Sequence, residues 1–112
     1  MTTPLYLEVK AAMELEILSG RIPPGQKLPT MRVLSERYRI NGNTVQRALA
    51  GLRETGLVTG GRRETMRVTS DTVRITFHRQ EKATTLIRKC IRQLRELGYT
   101  SEEIKSLIYI GV

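Results

Sequence analysis

Cysteine and histidine each occur once in the 112 residues, phenylalanine once and tryptophan not at all. A lone Cys90 excludes an internal disulfide and a cysteine-rich zinc site. With His78 as the single imidazole, no common metal centre can be assembled, and no cofactor is expected. No apolar run approaches the roughly 18 residues that a membrane-spanning helix needs. The opening Met-Thr-Thr-Pro-Leu-Tyr-Leu-Glu lacks the basic and apolar stretches of a secretory signal. A cytoplasmic, soluble, bacterial-type protein is therefore expected, with no membrane partner. Catalysis is not expected either. His78 is isolated, no pair of carboxylates is suitably placed, and Cys90 falls on an apolar helical face, where a thiol behaves as a small buried hydrophobe.

Acidic side chains are also scarce. Eleven Asp and Glu face nineteen Lys and Arg, a net charge of +8. An imbalance of this size in so small a chain points to a polyanionic partner. The charge is clustered: residues 21–67 hold ten basic side chains and three acidic ones, so nearly all the excess lies in the middle of the chain. A basic centre between near-neutral flanks fits a nucleic-acid-binding core with packing elements on either side. A generally solvated basic surface is the plainer alternative.

The elements follow from periodicity and punctuation. Residues 4–18 read as a helix that opens at Pro4 and stops at Ser19-Gly20. It carries two apolar stripes: Leu5, Val9, Ala12, Met13 and Ile17 on one side, and Leu7, Ala11, Leu15 and Leu18 on another. Three prolines and a glycine make 21–29 an extended connector with a turn. Thr30 can cap a short helix over about 31–38, with Met31, Leu34 and Tyr38 inward. After a turn at Arg39-Ile40, Asn41 can cap a third helix over about 42–55, with Val45, Ala48, Leu49 and Leu52 inward and Gly56 at its end. Strands are expected at 57–59 and 65–69, joined by a turn over 60–64. Two helices joined by a tight turn and followed by a hairpin make a winged helix-turn-helix.

The fold expected is thus mainly α with a small β-hairpin (α+β). A winged helix-turn-helix domain would span 1–69 and a two-helix dimerisation tail 81–112. The segment 70–80 between them reads as a linker or an extra strand, because Val73, Ile75 and Phe77 alternate with Arg74 and Thr76. In the tail, Ala83, Leu86, Ile87, Cys90, Ile91, Leu94 and Leu97 share a face up to Gly98. Thr100 and Glu103 form a capping-box pattern ahead of a last helix carrying Ile104, Leu107 and Ile108.

In such a unit the second helix enters the major groove with its first residues at the base edges. Here those are Gly42, Asn43, Thr44, Gln46 and Arg47, all off the apolar stripe. Arg grips guanine with two bonds, and Asn or Gln does the same for adenine. Free N–H groups in the first turn can hold a phosphate. Arg32, at the start of the preceding helix, is placed to reach the backbone across the groove and set register. Gly61, Arg62 and Arg63 mark the wing tip, where arginine favours a narrow minor groove.

Several of these stretches resemble one family. They are Pro4-Leu-Tyr, Ser19-Gly-Arg-Ile-Pro-Pro-Gly-Gln-Lys-Leu-Pro29, Met31-Arg-Val-Leu, Asn41-Gly-Asn-Thr-Val-Gln-Arg-Ala48 and Glu54-Thr-Gly-Leu-Val58. Together they resemble the winged-helix domain of GntR-type transcription regulators. Arg95-Glu-Leu-Gly-Tyr-Thr-Ser-Glu-Glu-Ile104 is similar to the short two-helix appendage of the YtrA subgroup. The resemblance implies a homodimeric DNA-binding repressor, and it places Arg32, Asn43, Thr44, Gln46 and Arg47 at DNA-contacting positions. The chain departs from the family in two places: Gly42 stands where many members have proline, and Arg62-Arg-Glu-Thr-Met-Arg-Val68 replaces the usual wing sequence.

The tail has more apolar surface than some 30 residues can bury alone. Leu86, Ile87, Cys90, Ile91, Leu94, Leu97, Ile104, Leu107 and Ile108 are therefore expected to pair with a second copy. Folding back on its own domain is the alternative. A homodimer would bind a roughly palindromic double-stranded operator. Two helices are too few to enclose a dedicated small-molecule domain. Other readings stay open: an accessory or RNA-binding protein, although sequence-specific RNA readers usually stack bases on strand aromatics, or a winged helix that binds a protein.

Overall fold

Pro4 holds extended backbone (ψ 140°) and then releases the chain into α1 (Leu5–Leu18), its carbonyl accepting from the N–H groups of Leu7 and Glu8. This computed structural model describes residues 3–61 and 64–112. They fall into two units, one ending at His78 and the other running from Arg79 to Val112.

One face of α1 (Val9, Met13, Ile17 and Leu18) is buried, while Leu7, Ala11 and Leu15 lie open to solvent. Burial does not follow the two stripes throughout: Leu5, of the first, is exposed in the opening turn, and Leu18, of the second, is buried. The second apolar face of α1 finds no cover within its own unit.

The connector does more than link. Leu28 donates to Met66, Val68 donates to Gln26, and Gly25 donates to the Val68 carbonyl, each at 2.9 Å. The proline-rich stretch thus lies along the returning strand like a third strand, and Leu28 is buried there. Thr30 then caps α2 (Met31–Tyr38), its hydroxyl accepting from Val33 N–H. Arg39 ends the helix with a left-handed backbone (φ 53°), which costs a side-chain-bearing residue some strain. Asn41 caps α3 (Gly42–Glu54), accepting from Asn43 N–H at 2.7 Å.

Val45, Ala48, Leu49 and Leu52 are essentially inaccessible and form the floor on which α1 and α2 rest. Thr55 ends α3 and the chain enters β1 (Val58–Thr59), which pairs antiparallel with β2 (Arg67–Val68). Val58 faces Val68 and Thr59 faces Arg67, so both valines point into the core. Gly60 leaves β1 at φ +85°, with the Thr65 carbonyl so close that no Cβ could be accommodated. The fold is the winged helix-turn-helix, mainly helical with one small two-stranded sheet.

The segment 70–80 is neither a strand nor a linker. It opens α4 (Thr72–Glu96), so the helix expected from 81 begins nine residues earlier. Asp71 decides this: its carboxylate accepts from Arg74 N–H at 3.0 Å and its carbonyl from Ile75 N–H at 3.2 Å. The alternation that suggested a strand has no counterpart in burial. Ile75 packs against the core, while Val73 is 78% and Phe77 58% exposed.

In the second unit, Gly98 (φ +96°) lies just past the end of α4, and α5 (Ser101–Gly111) follows. The capping box forms as read. Thr100 Oγ1 accepts from Glu103 N–H at 3.2 Å, and Thr100 N–H donates to Glu103 Oε1 at 3.0 Å. Hydrogen bonding of the carboxylate to Thr100, to its backbone N–H first and then to its side chain, holds the Glu103 carboxyl below its ordinary range. Ile104 is buried, but Leu86, Ile87, Leu97, Leu107 and Ile108 are exposed. Cys90, read as a buried hydrophobe, is exposed too.

Candidate nucleic-acid interface

The polar face of α3 is where the sequence places the reading residues. Burying Val45, Ala48, Leu49 and Leu52 turns Asn43, Gln46 and Arg47 outward to solvent, while Thr44 is half-buried. Arg32 projects from the first turn of α2 and is exposed. The structure therefore leaves Arg32, Asn43, Gln46 and Arg47 accessible together on the helix-turn-helix.

Two details differ from expectation. The first-turn N–H groups, read as free for a phosphate, are partly occupied within the cap: Asn43 donates to Asn41 Oδ1 and Thr44 to the Asn41 carbonyl. Arg32 also has a partner. Its Nε lies 3.4 Å from Glu36 Oε1, one turn further along α2. Both groups are well exposed, so the pair is weak and a phosphate can displace Glu36.

Gln46 lines a cleft of about 330 Å³ with Thr30, Met31, Arg53, Gly61 and Glu64, among others. The start of α2, the outer face of α3 and the hairpin thus meet around one depression, and Gln46 and Gly61 share it. Gly61 is held in the turn by reciprocal hydrogen bonds with Glu64, at 3.1 and 3.2 Å. Arg53 reaches toward the hairpin, its Nη1 4.0 Å from Met66 Sδ. Arg62 and Arg63, assigned to the wing tip, lie outside the described residues.

Sequence reading missed one neighbour of the site. The Arg47 guanidinium carbon stands 3.9 Å from the centroid of the Tyr6 ring, across the α1–α3 junction. The C-terminal end of α3 is also held. The Thr55 carbonyl lies 3.3 Å from Arg74 Nη1, which donates to it, and 3.2 Å from His78 Nε2. Gly56 beside it (φ +79°) has no Cβ, and one there would meet the Arg74 guanidinium at 2.7 Å.

The nine residues assigned to dimerisation do not form a buried cluster within the chain. Among them only Ile104 is buried, with Ile91 and Leu94 half-exposed and the rest open. Among the described residues no group of three or more His, Cys, Asp or Glu could hold a metal ion, and no helix is long and apolar enough to cross a membrane.

Comparison with known proteins agrees with this geometry. The family described as bacterial regulatory proteins, gntR family, matches residues 5–68, the stretch from α1 to β2. The HTH-type transcriptional repressor YtrA of Bacillus subtilis is 30% identical over 115 aligned residues, covering 99% of this chain and 76% of that protein. Among solved structures, a GntR family transcriptional regulator from Listeria monocytogenes superposes with a TM-score of 0.89 at 29% identity, covering 96% of this chain and 95% of the other. The DNA-binding domain of AraR, solved in complex with its operator ORR3, superposes with a TM-score of 0.58 at 28% identity, covering 62% of this chain and 83% of that one.

Proposed function

The chain belongs to the gntR family of bacterial regulatory proteins, and on that premise we propose that it is a cytoplasmic repressor that binds a palindromic operator as a homodimer. The observation that carries this reading is the outward set Arg32, Asn43, Gln46 and Arg47 around a buried apolar stripe. The family's YtrA is named as a repressor and AraR is seen on its operator, which supports the same role here. In this reading Asn43, Thr44, Gln46 and Arg47 meet base edges or the flanking backbone. Arg32 sets register on a phosphate. Gly61, with the neighbouring Arg62 and Arg63, approaches the minor groove. The exposed side chains Leu86, Ile87, Cys90, Leu97, Leu107 and Ile108, with the half-exposed Ile91 and Leu94, pair with a second copy, which supplies the other half of the reading head.

Selection from a random duplex pool, followed by titration at two salt concentrations, tests this. A dimer touching about 6–10 phosphates loses about 10³–10⁵ in affinity between roughly 50 and 200 mM salt. A specific regulator holds its selected site at least about 10³ more tightly than scrambled duplex. A palindrome with that ratio is the expected result. Salt-sensitive binding indifferent to sequence would make the protein an accessory binder, and no duplex binding would end the reading.

A further inference from the structure

Arg32 and Arg47 are both exposed cations of the helix-turn-helix, yet they are held in different ways. Arg32 presents its Nε edge to Glu36, so the hydrogen-bonding edge is already engaged. Arg47 is held by a cation–π contact, its guanidinium carbon standing over the Tyr6 ring 3.9 Å from the centroid. A guanidinium makes its bidentate bonds in its own plane, while a cation–π contact uses only the face. A stacked arginine therefore keeps its whole fork free for a base edge. Among the described residues Arg47 has no ion-pair partner competing for that fork.

The ring is itself well placed. One turn further along both helices, Lys10 Cδ lies 3.0 Å from where a Cβ on Gly51 would stand, so α1 and α3 are in close contact there. Below lie the buried side chains Val9 and Met13 of α1 and Val45, Ala48 and Leu49 of α3. Tyr6 is thus fixed to the same packed junction that fixes α3.

We propose that Tyr6 is a positioning residue for sequence readout, its ring holding the Arg47 guanidinium in the orientation in which it meets one base pair. The inference rests on the DNA-reading role given to α3 above. Ordering a long side chain on binding costs affinity, and a side chain already ordered avoids most of that cost.

The test compares Tyr6→Phe, Tyr6→Leu, Arg47→Ala and the Tyr6→Leu/Arg47→Ala double variant on the selected duplex. Each is also tried on duplexes changed one base pair at a time. Tyr6→Phe keeps the ring and is expected to bind within about twofold of the parent. Tyr6→Leu is expected to bind about three- to tenfold more weakly and to lose discrimination at the base pair that Arg47→Ala also stops reading. In the Arg47→Ala background, Tyr6→Leu is expected to add nothing. Should Tyr6→Leu not fold, Tyr6→Met, a ringless side chain of adaptable shape, reads the same quantity. Three results would each overturn the inference while leaving the operator reading intact. They are Tyr6→Leu binding as tightly as the parent or more so, Tyr6→Phe weakening as much as Tyr6→Leu, and an undiminished Tyr6→Leu loss in the double variant. A parent chain that selects no duplex would end both.

Discussion

The two units place similar apolar side chains in opposite ways. Up to His78, leucines, valines and isoleucines from three helices, the connector and both strands meet in one core. From Arg79 onward, a comparable set stands exposed, with Leu86 at 60% and Leu97 at 74%, and Ile104 is the one buried hydrophobic among the described residues. The first unit is a solution to its own packing problem. The second has helices with good local stops and caps and an apolar face that its own residues do not cover. Secondary structure and burial are therefore separately encoded here: local chemistry suffices for a helix, whereas a core needs a partner surface.

The sharpest way to break the contrast is to remove one side chain from each unit. Leu52→Ala empties a fully inaccessible site, and about 2–5 kcal/mol of unfolding free energy is expected to go with it in a denaturant titration. Leu86→Ala should change the same measurement by no more than about 0.5 kcal/mol when made on the isolated chain. A loss at Leu86 as large as at Leu52 in dilute monomer would mean that the tail packs on its own domain after all.

Next in size is the effect on association. Leu86→Asp combined with Leu94→Asp is expected to convert a dimer to a monomer in light scattering or sedimentation. The near-ultraviolet signature and melting of the first unit should stay in place. An unchanged dimer mass would remove this face from the interface.

The smallest effect tests whether the second unit's helices stand on local chemistry. Thr100→Ala removes both the side chain that caps α5 and its share of the box, at an expected cost of about 1 kcal/mol. Amide hydrogen exchange along 101–111 should quicken while α3 is unaffected. Acid should act on the same cap. The hydrogen bonds from Thr100 lower the Glu103 value in the folded state. Their contribution is therefore present above the unfolded carboxylate value, ~4.3, and fades as pH falls through the folded one. Protection of α5, taken as exchange relative to the intrinsic rate at the same pH, should thus fall in that window, and Glu103→Gln should flatten the fall.

Features decided by neighbours in the chain were legible beforehand. Thr30, Asn41 and Thr100 act as caps because each needs only an N–H two or three residues on. The stripe Val45, Ala48, Leu49 and Leu52 shows the period of a helix with one buried side. Residues 73–77 misled because three apolar residues at alternate positions mimic a strand, although Asp71 is a helix-capping residue type and stands two places earlier. Pairing of Gln26 and Leu28 with the hairpin was not legible, since prolines on both sides suggest a free loop. The stack of Tyr6 on Arg47 and the hold of Arg74 and His78 on Thr55 join residues far apart in sequence, so no local pattern announces them.

The Thr55 carbonyl gives the molecule a fulcrum. Arg74 and His78, on one flank of α4, both rest on the carbonyl of Thr55, the residue that caps α3, and Gly56 clears the space for Arg74. A Cβ at Gly56 would press on the Arg74 guanidinium and so disturb this anchor at the end of α3.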